Sequence, residues 1–365
     1  MKTIMLVCGA RPNFMKVAPI IEAMKGSSSI KPYLVHTGQH YDEKMSKSFF
    51  DLLHIPKPDV DLEVGSGTHA EQTGKVMVEF EKVCQKINPD LVLVVGDVNS
   101  TMACTIAAKK LWIPVAHVEA GLRSWDMKMP EEVNRVVTDA LCDLFFTTDP
   151  DANLNLDKVG VDKNKVHFAG NVMIDTLLAN VELAKNDPIL ETMGVKPKQY
   201  AFLTMHRPSN VDDKIVLGRL MDAFNYTQKK IPIVFPAHPR TVKMINEFGF
   251  GDLLKSMTEL KICEPLNYHQ MLKLNQNSLF ALTDSGGLQE ETTVLGIPCI
   301  TMRHNTERPT TVEVGTSEVV GNDPEKIKAA VDRILAGKWK KGGIPEGWDG
   351  KAGVRIVKEL ERFLA

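Results

Sequence analysis

Short, uninterrupted apolar runs recur along the chain every 20 to 40 residues, and nearly every one gives way at once to a polar cluster rich in glycine, proline or charge. The first series is Thr3 to Val7, Pro32 to His36, Leu91 to Val95, Pro114 to Val118 and Leu144 to Thr147. The second is Ala201 to Thr204, Ile231 to Pro236, Leu279 to Thr283 and Pro298 to Met302. Continuous rather than alternating hydrophobicity marks strands buried on both faces, as in parallel sheets covered by helices. Two series predict an α/β chain of two doubly wound domains, and 365 residues is long enough for two cores.

The expected division is 1–170, 171–349 and a terminal segment 350–365. Asn171 to Glu182 reads as a helix, and Asn186-Asp187-Pro188 and Lys196-Pro197 break the pattern after it. In the terminal segment Val354, Ile356, Val357, Leu360, Phe363 and Leu364 fall at helical spacing, which places the segment to pack back across the junction onto the N-terminal domain. Gly337 to Gly350, with its glycines and two tryptophans, reads as an irregular surface segment.

Forty-four Lys and Arg against 46 Asp and Glu leave a net charge of −2, which gives no electrostatic case for nucleic acid or an anionic membrane as partner. An anion site must therefore be built locally. The six cysteines lie without a CxxC pair or zinc spacing and read as buried thiols of a cytoplasmic protein. No apolar segment approaches the roughly 18 residues of a membrane span. The N-terminus is too short in apolar residues for a signal peptide.

In open parallel sheets, ligands bind beyond the carboxyl ends of the strands, so the polar clusters after the apolar runs are the candidate chemistry. Gly9-Ala10-Arg11-Pro12 with Lys16 is not a dinucleotide fingerprint, but it sets two cations near a helix start that already favours an anion. Asp97, Glu119 and Glu131 fall at one edge of the first sheet beside Arg11, Lys16 and Arg123. Burial and like charge can push such carboxylates apart in pKa for acid and base work. The structural alternatives are that Asp97 caps a helix and that Glu131 merely suits a helix N-terminus. In the second half His206-Arg207 and His238-Pro239-Arg240 form a phosphate or general-acid site without metal-ligand spacing. Asp284-Ser285-Gly286-Gly287 is the strongest diphosphate signal, because glycine lets backbone amides approach closely. Glu290 or Glu291 is placed to accept from ribose hydroxyls, and Arg303 and Arg308 add cations to the same edge. The two halves are expected to face each other across a cleft, with a nucleotide diphosphate bearing a reactive group between them.

The segments GARPNFMKVAP, GDVNST, HVEAGLRS, MPEEVNR, HRPSN, LTDSGGLQEE and MRHNTERP resemble, in order and across nearly the whole chain, the non-hydrolysing UDP-N-acetylglucosamine 2-epimerases. The resemblance implies a glycosyltransferase-B-like pair of Rossmann-like domains and a cytoplasmic homodimeric isomerase of polysaccharide biosynthesis. It implies interconversion of UDP-N-acetylglucosamine and UDP-N-acetylmannosamine through UDP elimination, a 2-acetamidoglucal intermediate and re-addition, with no nicotinamide cofactor and no metal. By resemblance Asp97, Glu119 and Glu131 are the catalytic acids, the proton each handles being left open. Arg11, Lys16 and His206 balance the leaving UDP, with His206 as a candidate general acid. Ser285, Gly286 and Glu291 match diphosphate and ribose contacts, and His238 a nucleotide or activator contact. Arg123, Arg207, Gly287 and Arg308 complete the expected substrate-binding set.

The chain departs from the family pattern in three places. Ser209 stands where HRxEN has Glu, and His304 replaces a common Asp. Gln39 and His40 are retained within HTGQH, but Val64 to His69 lacks the Arg of a regulatory substrate site, so substrate activation is expected to be weak or absent. HTGQHYDEKMSKSFF and GTHAEQTG also resemble C2 epimerases of UDP-2,3-diacetamido-2,3-dideoxyglucuronic acid, which stand as an alternative. A glycosyltransferase of the same fold would need an acceptor groove and no base at C2. An idle nucleotide-sugar sensor would not need all three acids.

Overall fold

The computed structural model describes residues 1–38 and 55–365, with the backbone but not the side chain of Arg11. Gln39, His40 and the Arg11 side chain thus lie outside the described residues. The chain divides into two compact units, Met1–Thr176 with Glu346–Ala365, and Leu177–Pro345. The division falls inside the helix Val172–Ala184.

The first unit holds a sheet of β1 (Lys2–Cys8), β2 (Ile30–His36), β3 (Val60–Asp61), β4 (Leu91–Val95), β5 (Val115–Val118), β6 (Leu144–Thr147) and β7 (Val166–Phe168). Its order is β3-β2-β1-β4-β5-β6-β7, and every neighbouring pair is parallel. All five residues of β4 are buried, as an apolar run between two helical layers requires. The core packs Met5, Val7, Val92, Val94 and Val115 against Val76 and Phe80 of the helix His69–Ile87. That helix opens on a Thr68–Glu71 capping box.

The second unit repeats the plan with β8 (Ala201–Thr204), β9 (Ile233–Pro236), β10 (Leu260–Cys263), β11 (Phe280–Thr283), β12 (Cys299–Thr301) and β13 (Ser317–Val319). Its order is β10-β9-β8-β11-β12-β13, again parallel throughout. Both expected doubly wound sheets are therefore present. In each, the strand order reverses beside the first strand, at β1/β4 and at β8/β11, and that is where such sheets open a crevice for ligands.

The Gly337–Gly350 stretch is irregular, but it is not simply surface. In the second unit Trp339 Nε1 donates to the Thr316 carbonyl at 2.9 Å. In the first, Trp348 is buried and donates to the Thr148 carbonyl at 3.0 Å. An indole that finds a partner for its N–H can be buried at little cost. The helix Ala352–Leu364 belongs to the first unit, where Asp175 accepts from Ala352 N at 3.1 Å and Gly353 N at 2.8 Å. All six cysteines are free thiols; five are buried and Cys263 is half-buried. Among the described residues no helix is long and apolar enough to cross a membrane.

Candidate active site

In the first unit β4 leaves the sheet through Gly96 at φ +66°, where any Cβ would also come within 2.6 Å of Lys16 Nζ. Glycine is required there so that the Lys16 ammonium can lie over the turn. Lys16 Nζ reaches across to Glu119 Oε2 at 2.6 Å in an ion pair that is almost wholly buried. Removing one member of such a pair costs about 3–5 kcal/mol, because the other charge is left uncompensated. Asn13 braces the approach: its Oδ1 accepts from Gly9 N at 3.2 Å and Ala10 N at 3.0 Å, and its Nδ2 donates to the Val95 carbonyl at 3.1 Å. The amides of Gly9 and Ala10 are thus already bonded, and among the described side chains Lys16 brings positive charge to this loop.

Asp97 does not cap a helix. The N-cap of Asn99–Lys110 is Val98, and the Asp97 carboxylate is paired with the Arg135 guanidinium. Arg135 also donates to Glu132 from Nε at 3.0 Å and Nη2 at 2.6 Å, and Asn134 Nδ2 donates to the Asp97 carbonyl at 2.9 Å. Glu132 in turn accepts from the Ser124 and Trp125 amides at 2.9 and 3.0 Å. Burial raises the Glu132 pKa, but the Ser124 amide and hydroxyl and Arg135 more than offset it and hold the carboxyl below its ordinary range. Glu131 sits half-buried in the first turn of the helix Pro130–Leu141.

Glu119 has φ +68°, a left-handed backbone that a non-glycine residue adopts at a cost of about 1–3 kcal/mol and that clusters at functional positions. Beneath it lies a buried network. His117 Nδ1 is 2.7 Å from Asp139 Oδ1, and Nε2 is 2.9 Å from the Gly96 carbonyl oxygen. Arg123 turns inward, with Nη1 2.6 Å from Asp139 Oδ2 and 2.7 Å from the Leu122 carbonyl. Its guanidinium is therefore spent on the protein rather than aimed alongside Lys16. Burial pushes the Asp139 carboxyl up, but His117 and Arg123 outweigh it and hold it below its ordinary value.

In the second unit Asp284, wholly buried at the end of β11, organises the end of β8. It accepts from His206 N at 3.1 Å, Arg207 N at 2.9 Å and Asn210 Nδ2 at 3.1 Å. His206 Nδ1 is 3.2 Å from Asp284 Oδ1, and the side chain is 49% exposed, so Nε2 is the ring atom presented outward. The His206 and backbone contacts keep Asp284 ionised against its burial.

Ser285 is the N-cap of the helix Gly286–Leu295, with no side-chain cap bond of its own. A Cβ at Gly286 would come within 2.7 Å of Glu307 Oε1, so glycine is what admits that carboxylate to the helix start. Glu307 accepts from Arg303 Nη2 at 2.7 Å and lies 3.8 Å from Arg207 Nη2. Burial raises its pKa, but Arg308, Arg303 and Arg207 drive the carboxyl far below its ordinary range. Arg303 Nη1 is buried with no hydrogen-bond partner among the described residues. Arg308 is buried on Glu290, and Gly287 is half-buried in the first turn. Glu291, one turn on, is buried beside Asn275 Nδ2 at 3.3 Å. Burial, with a contribution from Glu290, pushes its pKa up to about 7. His238 is exposed and caps the helix Pro239–Glu247, its Nδ1 accepting from Arg240 N at 3.2 Å. A helix N-terminus ringed by guanidiniums is suited to a phosphate group.

The family described as UDP-N-acetylglucosamine 2-epimerase matches residues 22–361. The chain belongs to this family. It is 45% identical over 362 residues to the UDP-N-acetylglucosamine 2-epimerase of Methanocaldococcus jannaschii, covering 97% of this chain and 98% of that protein. A crystal structure of M. jannaschii UDP-GlcNAc 2-epimerase in complex with UDP-GlcNAc and UDP superposes with a TM-score of 0.90 at 44% identity, over 99% of this chain and 100% of that one. The chain is also 38% identical over 364 residues, 99% of both proteins, to the UDP-2,3-diacetamido-2,3-dideoxy-D-glucuronate 2-epimerase of Pseudomonas aeruginosa.

Within this family member, Asp97, Glu119 and Lys16 lie at one sheet edge, with Glu131 on the helix that follows it. Ser285, Gly286, His206 and Arg207 lie at the other sheet's switch point. None of these holding roles is legible in the sequence: Arg135 on Asp97, Asp139 and His117 behind Glu119, Asp284, read there only as part of the Ser-Gly-Gly turn, behind His206, and Glu307 among the arginines. Arg135 and Asp139 follow Glu131 at intervals of four along one helix face. That spacing was the available signal.

Proposed function

We propose that the chain interconverts UDP-N-acetylglucosamine and UDP-N-acetylmannosamine by epimerising C2. The C1–O bond breaks with its electron pair leaving on UDP, the C2 proton passes to a carboxylate, and the C1=C2 bond of 2-acetamidoglucal forms. UDP then adds back to C1 while an acid protonates C2 on the opposite face. The C2–H bond is not acidic, so C1–O cleavage leads and builds oxocarbenium character, which nearby carboxylates stabilise.

The observation that carries this reading is the pair of carboxylates at adjacent strand ends, Asp97 on Arg135 and Glu119 on Lys16. Simple glycosyl transfer has no use for a base at C2. In this reading Asp97, Glu119 and Glu131 share the proton transfers. Lys16 and Arg11 balance charge, and His206, fixed by Asp284, serves the leaving UDP. Ser285, Gly286, Gly287, Arg207 and Arg303 take the diphosphate, Glu291 the ribose and His238 the nucleotide. Arg123 and Arg308 support the site from within, through Asp139 and Glu290. The enzyme acts as a cytoplasmic homodimer in polysaccharide biosynthesis.

Incubation with UDP-N-acetylglucosamine, followed by proton NMR of the anomeric region, tests this reading. A mixture of the two epimers is the expected result. Turnover confined to UDP-2,3-diacetamido-2,3-dideoxyglucuronic acid would move the assignment to the second reading, which the P. aeruginosa relative supports. Release of UDP to an acceptor would reject both.

A further inference from the structure

We infer that Asp139 is a positioning residue that, together with His117, holds Glu119 in its left-handed backbone. The inference rests on the reading that Glu119 and Asp97 act on the sugar.

Glu119 lies between two points gripped by the same carboxylate. On one side Asp139 Oδ1 is 2.7 Å from His117 Nδ1; on the other Asp139 Oδ2 accepts from Gly121 N at 3.1 Å. Between them Ala120 N donates to the Phe146 carbonyl at 3.1 Å, so no residue beside Glu119 is left to relax. The same histidine extends the clamp to the neighbouring strand end. The Gly96 carbonyl can only accept, so His117 Nε2 carries a proton and donates to it at 2.9 Å, one residue before Asp97. Arg123 closes the network from below, 2.6 Å from Asp139 Oδ2. The carboxylate, the imidazole and the guanidinium are all buried, so their geometry is insulated from solvent.

Asp139 stands on the helix Pro130–Leu141, which also carries Glu131 and Arg135. Spaced by four, these three side chains share one face. Glu131 is itself one of the acids, Arg135 pairs with Asp97, and Asp139 brackets Glu119. One helix thus sets the relative placement of all three acids, which a carboxylate cluster assembled from separate loops requires.

The test is steady-state epimerisation by Asp139→Asn and His117→Gln, each alone and combined with Glu119→Gln. A misplaced catalytic carboxylate lowers kcat by about 100-fold in Asp139→Asn and about tenfold in His117→Gln, with KM within about twofold. Because both substitutions act through Glu119, each costs less than about threefold more in the Glu119→Gln background. A general packing defect would multiply instead. Should Asp139→Asn fail to fold, His117→Gln and its double variant decide the matter. Near-parent kcat in folded single variants, losses that multiply with Glu119→Gln, or a rise in KM at unchanged kcat would each overturn the inference. Parent-like turnover by Glu119→Gln alone would instead refute the role given to Glu119.

Discussion

The carboxyl edges of the two sheets share a topology and differ in how their carboxylates and cations are combined. At the first, Asp97 is held by Arg135, Glu119 by Lys16, and Glu131 stands in a helix start. At the second, guanidiniums gather around buried Glu307 at the start of the helix Gly286–Leu295, and one Arg303 nitrogen has no partner among the described residues. In the proposed reading the same strand-loop-helix device serves proton chemistry where each acid meets its own cation, and anion binding where several guanidiniums converge on one carboxylate. The counter-ions in each case fix geometry and limit the cost of burial.

The largest expected effect separates the two edges outright. Asp97→Asn should lower epimerisation by about 10³-fold while leaving UDP affinity within about twofold, as read by paired rate and calorimetric measurements. Equal losses in both would merge the two roles.

The reciprocal substitution, Arg303→Ala, is expected to weaken UDP binding by about 10- to 100-fold with kcat at saturation within about threefold, because a charge-assisted hydrogen bond contributes about 1.5–3 kcal/mol. Unchanged UDP affinity would remove Arg303 from the anion site.

A smaller effect concerns Glu291. Its pKa rises on folding from 4.5 to about 7, so the folded state binds the proton more tightly, and this contribution is complete below about pH 4.5 and lost as pH rises through about 7. Glutamine does not titrate. The thermal midpoint of the parent should therefore fall between pH 5 and pH 8 by roughly 2–4 °C more than that of Glu291→Gln. Parallel pH profiles would refute the buried-acid assignment.

Smallest of all, initial rates of the reverse reaction should change less than about twofold on adding UDP-N-acetylglucosamine, since the Val64–His69 segment offers no Arg to a regulatory substrate. Strong activation would show a regulatory site built from other residues.

Central strands were legible because burial on both faces keeps them almost wholly apolar: Leu91–Val95 and Leu144–Thr147 are read from sequence at their observed limits. Val60–Asp61, Val166–Phe168, Leu260–Cys263 and Ser317–Val319 were not, being short outer strands whose residues are mostly half-buried and whose sequences mix polar and apolar side chains. The candidate site divides the same way. Residues placed by a strand end, such as Asp97 and His206, announce themselves by local pattern. Asp139, Asp284 and Glu307 act on partners brought to them by the fold: His117 lies 22 residues from Asp139, and His206 lies 78 from Asp284. Arg123 shows the converse, since a cation in a glycine loop looks available until the structure turns it onto Asp139.

The central claim is that a carboxylate of the first edge removes the C2 proton while UDP departs. Incubating the enzyme with UDP-N-acetylglucosamine in deuterated water and following C2 by NMR tests it most directly. Deuterium at C2 of the epimeric product, appearing with epimerisation and lost in Asp97→Asn, is the expected result; epimers that interconvert with C2 still protonated would contradict it.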